Sequence, residues 1–215
     1  MCMTFSTQVS RTARERNEDK RLEYQALIGD LYSAEMLVFL DESHCDRRTM
    51  QRRWAWAPEG DRAHRKDFFI RGTKYSVLPA ISLDGILHLD IITRSWTAVE
   101  FENYIETLLD NMKPYPQPNS VLVMDNASTH HFEGLREIVE GRGMHLIYLP
   151  AYSPDFNPIE EGFSAMKAWL RQNRDYALLE LTGDGNAFGV LWEALYTAMT
   201  SENIAGWFAD SGYIA

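Results

Sequence analysis

Three acids stand in this sequence where a side chain can be held out towards a substrate. Asp41 follows the apolar run Met36–Leu40 and Asp125 follows Val121–Met124. Glu160 lies just beyond Met144–Leu149, in the stretch Pro150-Ala-Tyr-Ser-Pro-Asp-Phe-Asn-Pro-Ile-Glu160-Glu161. Short apolar runs rich in Val, Leu and Phe read as buried strands. One Asp after a strand is commonly no more than a turn or cap residue. Three carboxylates on strand ends and a first helical turn are a different matter. In one cleft they would repel one another, and a divalent cation would stabilise them. An all-oxygen donor set suits magnesium or manganese rather than zinc.

The turn before Glu160 needs closer reading. Asn157 suits an N-cap, Pro158 the first helical position, and Glu160 then falls at the third. That leaves two roles open for Glu160: a capping-box-like acid serving a free amide, or a ligand turned into the cleft. At about 100° per residue, Ile159, Phe163, Met166 and Leu170 gather within about 60° and face the core. Glu160 lies at the edge of that stripe, on the side of Ser164 and Lys167, whereas Glu161 points away from it. A ligand belongs at the margin between core and cleft, which selects Glu160. Glu161 is expected to be solvated, its charge favouring the helix N-terminus.

The elements that must position these acids can be read in order. Residues 1–20 form a polar lead-in, and 21–215 are read as a single domain. Leu22, Leu27, Ile28 and Leu31 predict a short amphipathic helix. Strands are expected over Met36–Leu40, Tyr75–Ser82, Ile86–Thr93, Val121–Met124 and Met144–Leu149, with Leu83-Asp-Gly85 as a hairpin turn. Thr97-x-x-Glu100 is a capping box opening a helix with Phe101, Tyr104, Ile105, Leu108, Leu109 and Met112 at helical spacing. Pro114, Pro116 and Pro118 end it. A helix is expected around Phe132–Val139, another from the turn to about Arg174, and a last long one through Phe188–Met199. A short turn at Ile204–Phe208 follows. Three strands in antiparallel succession, then helix, strand, helix, strand, helix, imply an α/β fold: an RNase H-like mixed sheet flanked by helices.

The chain has 215 residues, 45% of them hydrophobic and 24% charged, enough for a substantial core. No apolar run approaches the roughly 18 residues of a membrane span, and the N-terminus lacks the pattern of a secretory signal. No membrane partner and no secretion are expected. Cys2 and Cys45, the only cysteines, show no zinc spacing or disulfide framework. The net charge of −10 argues weakly against a polyanionic partner, but its distribution matters more. From Arg47 to Lys74 there are nine basic residues (Arg47, Arg48, Arg52, Arg53, Arg62, Arg65, Lys66, Arg71, Lys74) against three acids, with Trp54, Trp56, Phe68 and Phe69 interleaved. The segment reads either as a solvated hairpin with its tryptophans towards the core or as a flap facing nucleic acid.

Two stretches carry a family resemblance. Asp125-Asn-Ala-Ser-Thr-His130-His131 and Tyr148-Leu-Pro-Ala-Tyr-Ser-Pro-Asp-Phe-Asn-Pro-Ile-Glu160 resemble the signature segments of mariner-type transposases and their insertion-sequence relatives, with thirty-four residues between Asp125 and Glu160. Leu40-Asp41-Glu-Ser resembles the first catalytic strand, and Ser76–Gly85, Phe163–Lys167 and Ser211-Gly-Tyr-Ile extend the likeness. The resemblance implies a DDE endonuclease or transposase catalytic domain. Asp41, Asp125 and Glu160 would bind two Mg2+ or Mn2+ ions, and water and then a DNA 3′-OH would act as nucleophile. It implies double-stranded DNA as partner, both transposon ends and target, a homodimer in the active complex, and a nuclear location if the host is eukaryotic, otherwise the cytoplasm. Asn126 and His130 would orient a phosphate or a water, or be satisfied within their loop. Lys167 would contact phosphate or face solvent. The residues before Asp41 are too few for the helix-turn-helix modules of full-length relatives, so DNA binding is expected to be mostly electrostatic and to fall steeply with salt. Two rival readings remain: a nuclease without strand transfer, and an inactive or co-opted transposon remnant acting as a DNA-binding or dimerisation module.

Overall fold

A computed structural model of the protein describes residues 13, 15–51, 57–58, 61–62, 64, 72–125, 134–182 and 185–214. Among these, β1 (Leu37–Leu40), β2 (Ser43–Cys45), β3 (Tyr75–Ser82), β4 (Gly85–Ile92), β5 (Val121–Met124) and β6 (His145–Tyr148) form one sheet. The helices are α1 (Glu18–Leu31), α2 (Ala98–Asn111), α3 (Leu135–Gly141), α4 (Ile159–Gln172), α5 (Arg174–Leu181), α6 (Ala187–Ala198) and α7 (Ser201–Asp210). β3 pairs antiparallel with β4 on one side and with β1 and β2 on the other, and β1, β5 and β6 run parallel. The expected mixed sheet flanked by helices is the fold.

β2 was not foreseen, and its register explains it. Phe39 pairs with Ile81 and Leu40 with Ala80, while Ser43 pairs with Val77 and Cys45 with Tyr75. The register is the same in both stretches, so β2 continues β1 after a break at Asp41-Glu42, and Pro79 comes opposite Asp41. Proline has no N–H, so Pro79 and Leu89 of β4 cannot be a mutually hydrogen-bonded pair. The polar edge of Pro79 therefore faces β1. The ladder lacks a donor at the residue that carries the first acid.

Alternation along the strands sorts the core onto two faces. Leu37 and Phe39 of β1 and Val121 and Val123 of β5 pack with α1, α4, α5, α6 and α7. Val38, Leu40, Leu122 and Met124 pack with α2 and α3 instead. The capping box of Thr97 and Glu100 is present at the start of α2.

Three expectations are corrected. α1 buries Arg21, Tyr24 and Ile28, leaving Leu22, Leu27 and Leu31 exposed, because a long-range ion pair rather than an apolar stripe sets its inward face. The segment around Ile204–Phe208 is a full helix, α7, capped by the Thr200 side chain and anchored by buried Ile204 and Phe208. The helix after the turn stops at Gln172, and α5 starts afresh beyond Asn173. The expected helix at 132–139 is α3, whose described start is Leu135; residues 132 and 133 lie outside the described set.

Candidate active site

Asp41 and Asp125 lie one residue beyond the paired ends Leu40 and Met124 of adjacent parallel strands. The Leu149 N–H donates to the Met124 carbonyl at 2.9 Å, so β6 ends at the same level. Neighbouring strands run about 4.8 Å apart. As odd-numbered positions, both acids continue the parity of Phe39 and Val123 and stand on the α4 side of the sheet. That is the crevice outside the carboxyl ends of the strands, where open α/β sheets bind ligands. Asp41, Asp125 and Glu160 line one cleft of about 380 Å³, together with Leu149–Pro154 and Asn157. Asp41 and Asp125 are half-buried and Glu160 is exposed. Among the described residues no three His, Cys, Asp or Glu side chains are gathered closely enough to hold a metal ion. Like charges repel, and drawing the three acids together takes a cation.

The Asp41 carboxylate is oriented by two donors. Oδ1 accepts from the Glu42 backbone N–H at 2.7 Å, and Oδ2 accepts from Asn157 Nδ2 at 2.9 Å. Asn157 has an extended backbone, but the N-cap of α4 is Pro158, and the Asn157 Oδ1 accepts no cap bond. The residue reaches back to β1 instead. Its backbone carbonyl accepts the Glu160 N–H at 3.1 Å, which closes the first turn of α4. The helix proper begins at Ile159, placing Glu160 at its second residue rather than its third.

The turn is clamped from behind by both ends of the chain. Arg21 makes a two-pronged bond to Asp155, at 3.0 and 2.6 Å, and its guanidinium lies 3.8 Å from the Phe156 ring centroid. Burial raises the Asp155 carboxyl, but the hydrogen bond and charge of Arg21, with a backbone hydrogen bond and the charge of Arg16, together outweigh it and hold the group below its ordinary value. Tyr213 Oη donates to the Phe156 carbonyl at 2.6 Å, so the Tyr24 hydroxyl, 2.8 Å away, must donate to Tyr213. Burial pushes both phenols up. Tyr152, at the lip of the cleft, has φ +58°, a left-handed conformation costing a tyrosine about 1–2 kcal/mol.

Glu161 is not solvent-facing as its wheel position suggests. It is half-buried, and burial followed by the charge of Asp210 on α7 raises its carboxyl. The wheel assumed one buried stripe, whereas α4 packs against α6 and α7 and also shares the core under the sheet. Gly162 makes the second contact possible, since a Cβ there would come 2.9 Å from Met199 and 3.1 Å from Trp207.

Of the other expected site residues, Lys167 is half-buried and does not line the cleft. Its ammonium lies 6.0 Å from the Phe163 ring centroid. Burial lowers the His44 imidazole, Glu42 opposes that shift, and the charges of Lys74 and Lys167 add to it. Arg47 is half-buried against Gly72, and Arg48, Arg62 and Lys74 are exposed. Arg52, Arg53, Arg65, Lys66, Arg71, Asn126 and His130 lie outside the described residues. The basic segment leaves and re-enters the sheet at the pair Cys45 and Tyr75, beyond the end of β1 that carries Asp41. Sequence reading missed Arg21, Asp155 and Tyr213 and gave Asn157 only a capping role. Their partners lie between 57 and 134 residues away, so no local pattern marks them.

The sequence profile described as the DDE superfamily endonuclease matches residues 36–180. No curated protein matches the chain. Among solved structures, the Mos1 mariner paired-end complex with Mn aligns with a TM-score of 0.69 and 16% identity, over 96% of this chain and 64% of that one. The Mos1 strand transfer complex aligns at 0.61 with 18% identity, over 99% and 68%. The catalytic domain of Mos1 mariner transposase aligns at 0.55 with 15% identity, over 95% and 98%. This chain therefore spans less than two thirds of the first of these proteins and nearly all of the last.

Proposed function

We propose that this chain, which belongs to the DDE superfamily of endonucleases, cleaves DNA phosphodiester bonds with Asp41, Asp125 and Glu160 as metal ligands. One observation carries the reading. Two of the acids stand level on adjacent parallel strands and on one face, and the third lines the same cleft from the first turn of α4. Three carboxylates facing one cleft form a hard, all-oxygen donor set that fits Mg2+ or Mn2+. When bound, two such ions would polarise the scissile phosphate, activate the attacking oxygen and stabilise the leaving one.

The protein supplies the placement. Asp41 presents its carboxylate in an orientation fixed by the Glu42 N–H and Asn157. Glu160 is exposed, and its backbone N–H is tied to the Asn157 carbonyl in the first turn, which leaves its carboxylate facing the cleft. Water serves as nucleophile for cleavage and a DNA 3′-OH for strand transfer, so no covalent protein–DNA bond is needed. Double-stranded DNA is the partner, contacted through phosphates by Arg47, Arg48, Arg52, Arg53, Arg65, Lys66, Arg71 and Lys74, and two copies of the chain act together on two ends. The Mos1 structures matched by the fold include a paired-end complex with Mn and a strand transfer complex, which supports these choices.

The test is a magnesium-dependent nicking assay on the parent and on Asp125→Asn. Loss of a ligand is expected to slow nicking by about 10³-fold. Equal rates in the two proteins would leave the chain as a DNA-binding module and end the enzymatic reading. Adding a DNA end with a free 3′-OH then separates strand transfer from hydrolysis.

A further inference from the structure

Asn157 occupies an unusual position between two of the acids. Its carboxamide donates to Asp41 Oδ2 at 2.9 Å across 116 residues of chain, while its backbone carbonyl accepts the Glu160 N–H at 3.1 Å. One residue thus ties the end of β1 to the first turn of α4. The amide orientation follows from the chemistry, since an ionised carboxylate accepts and cannot donate, so the nitrogen must face Asp41. Asn157 is 4% exposed, and its Oδ1 is buried without a hydrogen-bond partner. An asparagine serving only as a helix cap would use that oxygen to accept an amide of the first turn. Here the oxygen makes no such bond, and a buried acceptor left unpaired calls for an explanation.

We infer that Asn157 is a positioning residue for the metal-binding acids: it sets the Asp41 carboxylate and fixes the spacing between Asp41 and the turn that carries Glu160. The inference rests on the reading of Asp41, Asp125 and Glu160 as metal ligands. Partners that orient metal-ligating carboxylates commonly contribute 10- to 100-fold to metal affinity. Asn157 differs from such a partner in also belonging to the backbone turn that starts the helix of another ligand. Loss of its side chain removes the donor to Asp41 Oδ2 and with it the side-chain link to the turn that starts α4.

The test is Mn2+ binding measured by calorimetry without DNA, on the parent, Asn157→Ser, Asn157→Ala and Asp125→Asn, with each melting temperature recorded in EDTA. The Asn157 side chain makes no cap bond and α4 is capped at Pro158, so serine and alanine both keep the helix start. Serine is too short to reach Asp41, and alanine has no donor to offer it. The expected result is Mn2+ affinity about 10- to 100-fold weaker in both Asn157 variants, with melting temperatures in EDTA close to the parent's. Parental affinity in Asn157→Ser and Asn157→Ala, with binding lost in Asp125→Asn, would overturn the positioning role and leave the ligand assignment standing. Weakened binding in the Asn157 variants with parental binding in Asp125→Asn would remove Asp125 from the ligand set and leave the link to Asp41 in place. Parental affinity in all three variants would overturn both.

Discussion

The two walls of the cleft are built by different means. The wall carrying Asp41 and Asp125 is the sheet itself, where the acids extend strands that are buried on both faces and paired with their neighbours. The wall carrying Glu160 is a turn held from behind by side chains at the extremes of the chain: Arg21 and Tyr24 from α1, and Tyr213 after α7. The first wall is fixed by the same contacts that fold the protein. The second shares the core through Tyr24 and Phe156, but the polar bonds of Arg21 and Tyr213 are what set the path of its turn. Damage to the strand wall should therefore appear as lost stability, and damage to the turn wall as lost site geometry.

The largest effect that tests this division is expected on the strand wall. Phe39 is fully buried and lies against Phe208 and Tyr213. Phe39→Ala is expected to cost about 3–5 kcal/mol, read as a fall of roughly 10 °C in Tm by calorimetry. Arg21→Ala, on the turn wall, is expected to cost less, about 1–2 kcal/mol, because Asp155 is 49% exposed and stays partly hydrated. Its nicking rate should nevertheless fall by about 10-fold or more as the turn shifts. If Arg21→Ala loses stability and activity in step, the two walls are not separable.

Smaller effects sharpen the picture. Tyr213→Phe removes the donor to the Phe156 carbonyl and is expected to cost about 1 kcal/mol, measured by urea unfolding. The smallest effect is with pH. The folded Asp155 pKa lies below its ordinary 3.8, so its contribution to stability is complete above that value and is lost as pH falls through the lower folded one. Asp155→Asn should flatten this acid limb of the stability curve. An unchanged limb would show that Arg21 does not hold the turn through charge.

The same division separates what could be read from the sequence from what could not. The strand wall was legible because burial on both faces leaves short, uniformly apolar runs, and an acid at the end of such a run stands out. Val121–Met124 and Tyr75–Ser82 were placed to the residue, and Asp41 and Asp125 with them. The turn wall was legible only in part. Local chemistry gave the helix start to within one residue and a place for Glu160 in its first turn, but Arg21, Asp155 and Tyr213 act through contacts distant in sequence. Apolar counting even chose the wrong face of α1. β2 escaped because three residues, Ser-His-Cys, carry no period; only the register inherited from β1 makes them a strand.

That inherited register also constrains how the gene can vary. From Phe39 to Cys45 the chain keeps one register against β3 across the break at Asp41-Glu42, and Asp41 faces the cleft because of its parity. Inserting or deleting one residue between Leu37 and Asp41 would turn the acid to the α2 face; a change of two would restore its side. The segment after Cys45 is under no such rule. It returns to Tyr75, directly across from where it left, so its length is free to change in odd or even steps without moving Asp41. Length variation among relatives should therefore collect between these two residues and stop abruptly at both.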